Sequence, residues 1–303
     1  MAHLMGAEVI THEFPTKEVF SGVTVGINDG DRIGIVGRNG DGKSTLVKIL
    51  TKQFAPDSGR VTWRGGLRIG FLTQVDVIDD EISIAEAVVG DRPEFEWASD
   101  PKIRDVLSGL VADLDWHQKV GTLSGGQRRR VALAALLAGE YDVVFLDEPT
   151  NHLDVDGVAW LANHLQTRWP KNVGGLAVIT HDRWFLDAVC NLTWEVYGGR
   201  IEPFEGGYAA YVQQRAERSR QADAIESRRQ NLLRKELAWL GRGAPARTAK
   251  PKFRIDAALA LIGNEPPPRN SVELAKLATT RLGKDVLDME DVNYSTPDGA
   301  RCQ

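Results

Sequence analysis

Apolar residues along the chain follow two kinds of pattern. Short, nearly unbroken runs at 32–36 (RIGIV), 143–146 (VVFL) and 176–180 (LAVIT), each with helical spacing after it, predict strands buried on both faces of a mostly parallel sheet. The alternating stretches near 23–27 (VTVGI) and 61–72 predict a small antiparallel layer at one side, and 192–197 a further strand. Helical periodicity marks 43–52, 102–114, 126–138, 154–168 and 182–190. Turn signals at Asp29-Gly30, Gly65-Gly66 and Gly198-Gly199 punctuate these elements. The first 205 residues therefore read as an α/β unit.

After Gly206-Gly207 the pattern changes. Residues 208–240 contain no Pro or Gly, and Ile225, Leu232, Leu233, Leu237 and Leu240 fall on one broad face, which predicts a long helix. The segment GRGAPARTAKPK (241–252) breaks it, a second helical stretch follows near 255–262, and Pro266-Pro267-Pro268 ends that in turn. The expected organisation is a first domain over 1–206, a basic helical linker over 207–265 forming part of a hairpin, and a connector over 266–303.

Charge reinforces this division. Residues 1–212 carry a net charge of -10, residues 213–262 of +7 and residues 263–303 of -2. An acidic body followed by a basic segment suits a catalytic domain with an anion-seeking appendage. With 42% hydrophobic and 26% charged residues the composition is globular, which excludes a fully disordered chain. Two cysteines, Cys190 and Cys302, exclude a disulfide framework or a multi-cysteine metal site and suit a reducing cytosol. No apolar run reaches the roughly 18–20 residues of a membrane span.

The strongest chemical signal is GRNGDGKST, from Gly37, Arg38, Asn39 and Gly40 through Asp41 and Gly42 to Lys43, Ser44 and Thr45. It follows a strand and opens a helix in the form G-x4-G-K-S, the phosphate-binding loop. Its glycines let backbone N–H groups converge on phosphate oxygens at a positive helix terminus. Lys43 is placed to reach the β- and γ-phosphates, and the Ser44 hydroxyl to bind Mg2+. The buried strand VVFLD delivers Asp147 and Glu148 to its C-terminal end, where ligands bind in parallel sheets. There Asp147 would hold Mg2+ through water and Glu148 would polarise the water attacking the γ-phosphate; the bland alternative is an acidic turn that only caps the next helix. LSGGQ (123–127) offers a second anion-binding helix start at Ser124, Gly125, Gly126 and Gln127, although Ser-Gly-Gly by itself reads first as a cap. His181 ends the strand LAVIT, and Gln74 follows the strand LRIGFLT as a neutral ligand for Mg2+ or water; neither carries a signal alone.

In combination these segments resemble the nucleotide-binding domain of the ATP-binding cassette superfamily, over about 200 residues. The resemblance makes 37–45 Walker A, Gln74 the Q-loop, Ser124–Gln127 the signature, 143–148 Walker B with its glutamate, Leu153-Asp154 the D-loop and His181 the switch histidine. It places Phe14 at the A-loop, stacking on adenine where Tyr is common. It further implies ATP and Mg2+ as ligands, with Ser44, Gln74 and Asp147 around the metal. The signature would face ATP held by a partner cassette packed head to tail.

EPTNHLD (148–154), THDRWFLD (180–187) and EGGYAAYV (205–212) resemble the ABC-F family of twin-cassette ATPases that act on ribosomes. RKELAWLGRGAPARTAKPKFRI (234–255) looks like the inter-domain linker of the Uup-like branch. That implies a cytoplasmic protein whose Arg242, Arg247, Lys250 and Lys252 approach RNA on the ribosome, near tRNA. The basic segment alone fits RNA, DNA, an acidic protein surface or a solvated coiled coil equally well. The interval from Gln74 to Leu123 is too short for the long hairpin arm of some relatives. VLDMEDVNYSTPDGAR (286–301) echoes residues 6–20, as the opening of a second cassette with Tyr294 in the place of Phe14. The expectation is thus a first cassette and linker, truncated as the second begins and weak in hydrolysis by itself. Two other functions compete: the ATPase subunit of an ABC transporter, and an ATP-gated DNA-binding protein.

Overall fold

The computed structural model describes residues 2–15, 17–72, 78–241, 294–295 and 301–302. Strands β1 (His3–Phe14), β2 (Lys17–Asn28) and β4 (Ser58–Trp63) form an antiparallel sheet in the order β2-β1-β4. A second sheet contains β3 (Arg32–Gly37), β5 (Ile69–Leu72), β6 (Val143–Asp147), β7 (Gly175–Ile179), β8 (Leu192–Tyr197) and β9 (Arg200–Glu205). Its order is β5-β6-β7-β3-β8-β9, parallel throughout except for the β8–β9 hairpin. Helices α1 (Lys43–Leu50), α2 (Ile84–Val89), α3 (Glu94–Trp97), α4 (Pro101–Leu110), α5 (Gly125–Ala138), α6 (Val155–Thr167) and α7 (Arg183–Val189) complete this unit, and α8 runs from Tyr208 to Gly241.

Every residue of β6 and β7 is buried. Successive side chains of a strand point to opposite faces, and here they enter two different cores. Val144, Leu146, Leu176 and Val178 pack with the helices α2, α4, α5, α6 and α7. Val143, Phe145, Ala177 and Ile179 pack with α1 and the antiparallel sheet. Fully burying one such side chain contributes about 1.5–3 kcal/mol, so both faces fix the height at which β6 and β7 end. Those ends carry Asp147 and Glu148 on one strand and the approach to His181 on the other.

One expectation needs correction. The stretch 61–72 does not lie wholly in the antiparallel layer. Residues up to Trp63 pair with β1, whereas Ile69–Leu72 pair in parallel with Val143–Leu146 at the edge of the core sheet. The Gly65-Gly66 turn separates the two, and Gly66 takes a positive φ of 71° that lets the chain change sheets there.

By contacts the chain divides into two units, Met1–Arg220 and Gln221–Gln303. The first turns of α8 belong to the cassette because they are bonded to the β8–β9 hairpin. The Tyr211 hydroxyl donates to Glu195 at 2.9 Å, Arg215 pairs with Glu195 at 3.0 Å, and Tyr211 meets Phe204 edge-on. In the second unit, α8 continues to Gly241, and Tyr294-Ser295 pair antiparallel with Arg301-Cys302. Gln74 and the linker residues Arg242, Arg247, Lys250 and Lys252 lie outside the described residues.

Candidate nucleotide site

Strand β3 is buried except at its ends, and its last residue Gly37 begins the loop that turns into α1. Gly42 occupies the N-cap of α1 with φ 100° and ψ 14°, a left-handed conformation suited to glycine. Lys43 is buried and its Nζ donates to the carbonyls of Gly37 at 2.9 Å and Arg38 at 3.1 Å, so the loop wraps its own lysine. Ser44, one residue into the helix, donates its hydroxyl to Asp147 Oδ2 at 2.8 Å. Phosphate loop and β6 are thereby joined at one point.

Beyond Asp147 the strand ends in a constrained turn. Glu148 takes φ 49°, a left-handed value that costs a non-glycine residue about 1 kcal/mol or more. Its N–H donates to Ile179 O at 2.8 Å, which ties the turn to β7. The Glu148 carboxylate lies 3.4 Å from His181 Nε2. Thr150 and Thr180 hydroxyls share a hydrogen bond of 3.0 Å, and the Thr180 oxygen also accepts the N–H of Asp182 at 3.1 Å. Two turns remote in sequence are thus stitched beneath the acidic pair.

Phe14, Lys43, Ser44, Asp147, Glu148 and His181 line one pocket of about 680 Å3. Phe14 is 44% exposed, leaving its ring available for stacking, and His12 meets it edge-on with ring centroids 5.0 Å apart. Asn39, Gly40 and Thr45 border the same space. The Ser44 hydroxyl and the Asp147 carboxylate, 2.8 Å apart, are hard oxygen donors of the kind Mg2+ takes, so the residues present fit that ion. Among the described residues no group of three His, Cys, Asp or Glu side chains is gathered as a metal cage.

Ser124 caps α5, and the cap is reciprocal. Its hydroxyl accepts the Gln127 N–H at 3.3 Å while the Gln127 side chain accepts the Ser124 N–H at 2.9 Å. Ser124, Gly126 and Gln127 border a separate cleft of about 840 Å3, together with Leu153 and Asp154. Asp154 there caps α6 through the Gly157 N–H at 2.8 Å. Among the described residues the two cavities share no lining residue.

Two residues of the site escaped the sequence reading. Arg129, buried within α5, donates to the backbone carbonyl of Asp147. Lys17 donates to the carbonyl of Gly40 at 2.8 Å and lies 3.8 Å from Asp41. The run Arg128-Arg129-Arg130 signalled charge on α5, but only the packing shows which arginine turns inward.

A family model described as ABC transporter matches residues 20–151, and an extension model of the same description matches 194–268. An uncharacterized ABC transporter ATP-binding protein of Bacillus subtilis, YfmR, is 34% identical over 95% of this chain and 51% of its own length. The chain belongs to the ABC-F family of ATP-binding cassette proteins. The energy-dependent translational throttle protein EttA of Haemophilus influenzae is 32% identical to this ABC-F chain over 94% of it and 57% of the relative. The chain spans about half the length of these curated relatives. Among solved structures, the ATP-binding subunit of an ABC transporter superposes with a TM-score of 0.57 at 18% identity, covering 67% of this chain and 90% of that one, which shows the fold. A complex of archaeal ribosomal stalk protein aP1 with ribosome recycling factor aABCE1 gives 0.61 at 26% identity, covering 71% and 42%.

Proposed function

We propose that this ABC-F chain binds and hydrolyses Mg-ATP and acts on the ribosome in translation, in the cytoplasm. The observation that carries the ATPase part is the single pocket holding Phe14, Lys43, Ser44, Asp147, Glu148 and His181. Phe14 stacks on adenine, Lys43 leaves its loop carbonyls for the terminal phosphates, and Glu148 holds a proton-accepting oxygen toward attacking water. His181, 3.4 Å from that carboxylate, orients it. Ser44 and Asp147, with Gln74 as a further ligand, would hold Mg2+, which would supply neutralisation of phosphate charge. Because the signature segment Ser124–Gln127 borders a different cleft, closure over the nucleotide needs a second cassette, whose signature faces Lys43.

The ribosomal part rests on similarity to the translational throttle proteins and on the net charge of +7 over residues 213–262. Arg242, Arg247, Lys250 and Lys252 are the residues we assign to RNA contact. The principal rival is a transporter subunit. Among the described residues no helix is long and apolar enough to cross a membrane.

Co-sedimentation of a Glu148→Gln form with ribosomes, with and without ATP, tests the proposal. ATP-dependent pelleting, weakened by reversing the four linker cations to Glu and by added salt, is expected. Capture by a permease without ribosome pelleting would establish the rival. Preferential, salt-sensitive binding to branched DNA would establish an ATP-gated DNA-binding role instead.

A further inference from the structure

We propose that Lys17 and Asp41 form a charge pair that sets the nucleotide affinity of the phosphate loop, an inference that rests on that loop being the nucleotide site. Asp41 places a carboxylate inside a loop whose other features attract anions. Its Oδ2 accepts the Arg38 N–H at 3.1 Å, and its own N–H donates to Arg38 O at 3.2 Å. The carboxylate thus closes the loop on itself, occupies a backbone donor and adds negative charge beside the phosphate position. Left unpaired, that charge repels the ligand.

Lys17 supplies the compensation from another element. It begins β2, opposite Phe14 in the β1–β2 register, so it is held by the antiparallel sheet rather than by the loop it serves. Its Nζ donates to Gly40 O at 2.8 Å and stands 3.8 Å from Asp41 Oδ1. The Asp41 side chain is 16% exposed and that of Lys17 is 54% exposed, so the lysine is the mobile, hydrated partner. Lys17 borders the same pocket as Lys43 and Ser44. One ammonium therefore fastens the loop through a carbonyl, cancels the internal carboxylate and places a second cation beside the nucleotide. It also joins the strand end bearing the adenine platform to the phosphate loop.

The distinguishing consequence is coupling. The part of the Lys17 contribution that comes from cancelling the Asp41 carboxylate should vanish once Asp41 no longer carries charge, while the bond to Gly40 O remains. Calorimetric titration of the full chain with Mg-ATP and Mg-ADP, in wild-type and Asp41→Asn backgrounds, measures this. Lys17→Gln should weaken both nucleotides by about fivefold in the wild-type background, and by a smaller factor in the Asp41→Asn background. Lys17→Arg should retain most of the affinity, and added salt should narrow the gap between wild type and Lys17→Gln. Lys17 is at the surface and Asp41 lies in a loop outside both cores, so thermal melting should show all forms folded. Equal losses in the two backgrounds, or no loss in either, would overturn the pairing while leaving the nucleotide site intact. If wild type binds neither nucleotide, the proposed function fails and takes this inference with it.

Discussion

Replacing Gly42 by alanine separates two demands that the phosphate loop makes on its glycines. Gly42 has φ 100°, and a Cβ there would stand 2.3 Å from Val19 Cγ1 and 3.0 Å from Phe20 Cζ. Val19 and Phe20 are both buried and have little room to retreat. Gly40 also has a positive φ, 83°, but a Cβ at that position meets nothing within 4 Å. Gly40→Ala therefore carries backbone strain alone, about 1–2 kcal/mol. Gly42→Ala adds overpacking, about 1–3 kcal/mol more. If nucleotide binding requires the native loop shape, those costs appear as affinity. Gly40→Ala should weaken Mg-ATP by about 5- to 30-fold, and Gly42→Ala by at least about 30-fold. Thermal stability should fall much less, because the loop can abandon its shape without opening either core. Adding Val19→Ala relieves the 2.3 Å contact and should recover part of the loss in Gly42→Ala, measured against Val19→Ala alone. Calorimetric titration with parallel melting curves reads both quantities. Gly42→Ala no weaker than Gly40→Ala, or a loss accounted for by unfolding alone, would refute the reasoning.

Phe14→Ala should weaken ATP and ADP by similar factors, about 5- to 10-fold, since stacking involves the adenine of both; a loss confined to ATP in titration would contradict that role. Burial holds the His164 imidazole below its usual range, against the pull of Asp105 at 2.9 Å and with Arg168 adding to the lowering. The unfolded chain then takes up the proton more readily, so stability should be full above the usual imidazole range and fall as pH drops through it toward the folded value. Melting curves between about pH 7.5 and 5.5 should show a larger decline for wild type than for His164→Gln, and parallel declines would contradict the assignment. ATP turnover by the 303-residue chain should be slow and rise with protein concentration, because signature and phosphate loop border separate clefts; fast turnover by a demonstrated monomer in sedimentation would refute the need for a second cassette.

The core strands were legible because burial on both faces leaves unbroken apolar runs, as in VVFLD and GLAVI. The long α8 was legible because nothing in 208–240 interrupts a helix. β1 left a poor alternating signal, since its register with β2 shifts four times and Val9 sits at φ 48°, so the period of two slips within the strand. β9 carries Pro203, which counts against a strand until the sheet order places β9 at an edge. α2 was obscured by its brevity, with six residues behind the Ser83 cap.

The residues we assign to the nucleotide form motifs in the sequence because the chemistry proposed for them depends on short spacings within one loop or one strand end. What joins them was not legible, since each connection spans distant parts of the chain. Lys17 serves Gly40 and Asp41 from another sheet, and Arg129 serves Asp147, at the end of β6, from helix α5. The latter contact has a structural consequence. Ser124 caps α5 five residues before Arg129, and Asp147 meets Ser44 with its carboxylate while its carbonyl receives Arg129. The cap of one cleft and the floor of the other are therefore fastened through a single buried arginine. A shift of Asp147 therefore either carries the α5 contact with it or breaks that one hydrogen bond from a charged donor, a contact worth about 1.5–3 kcal/mol. Among the described residues the cleft bordered by Ser124 and the pocket holding Lys43 share no lining residue, yet that bond links the elements that carry them.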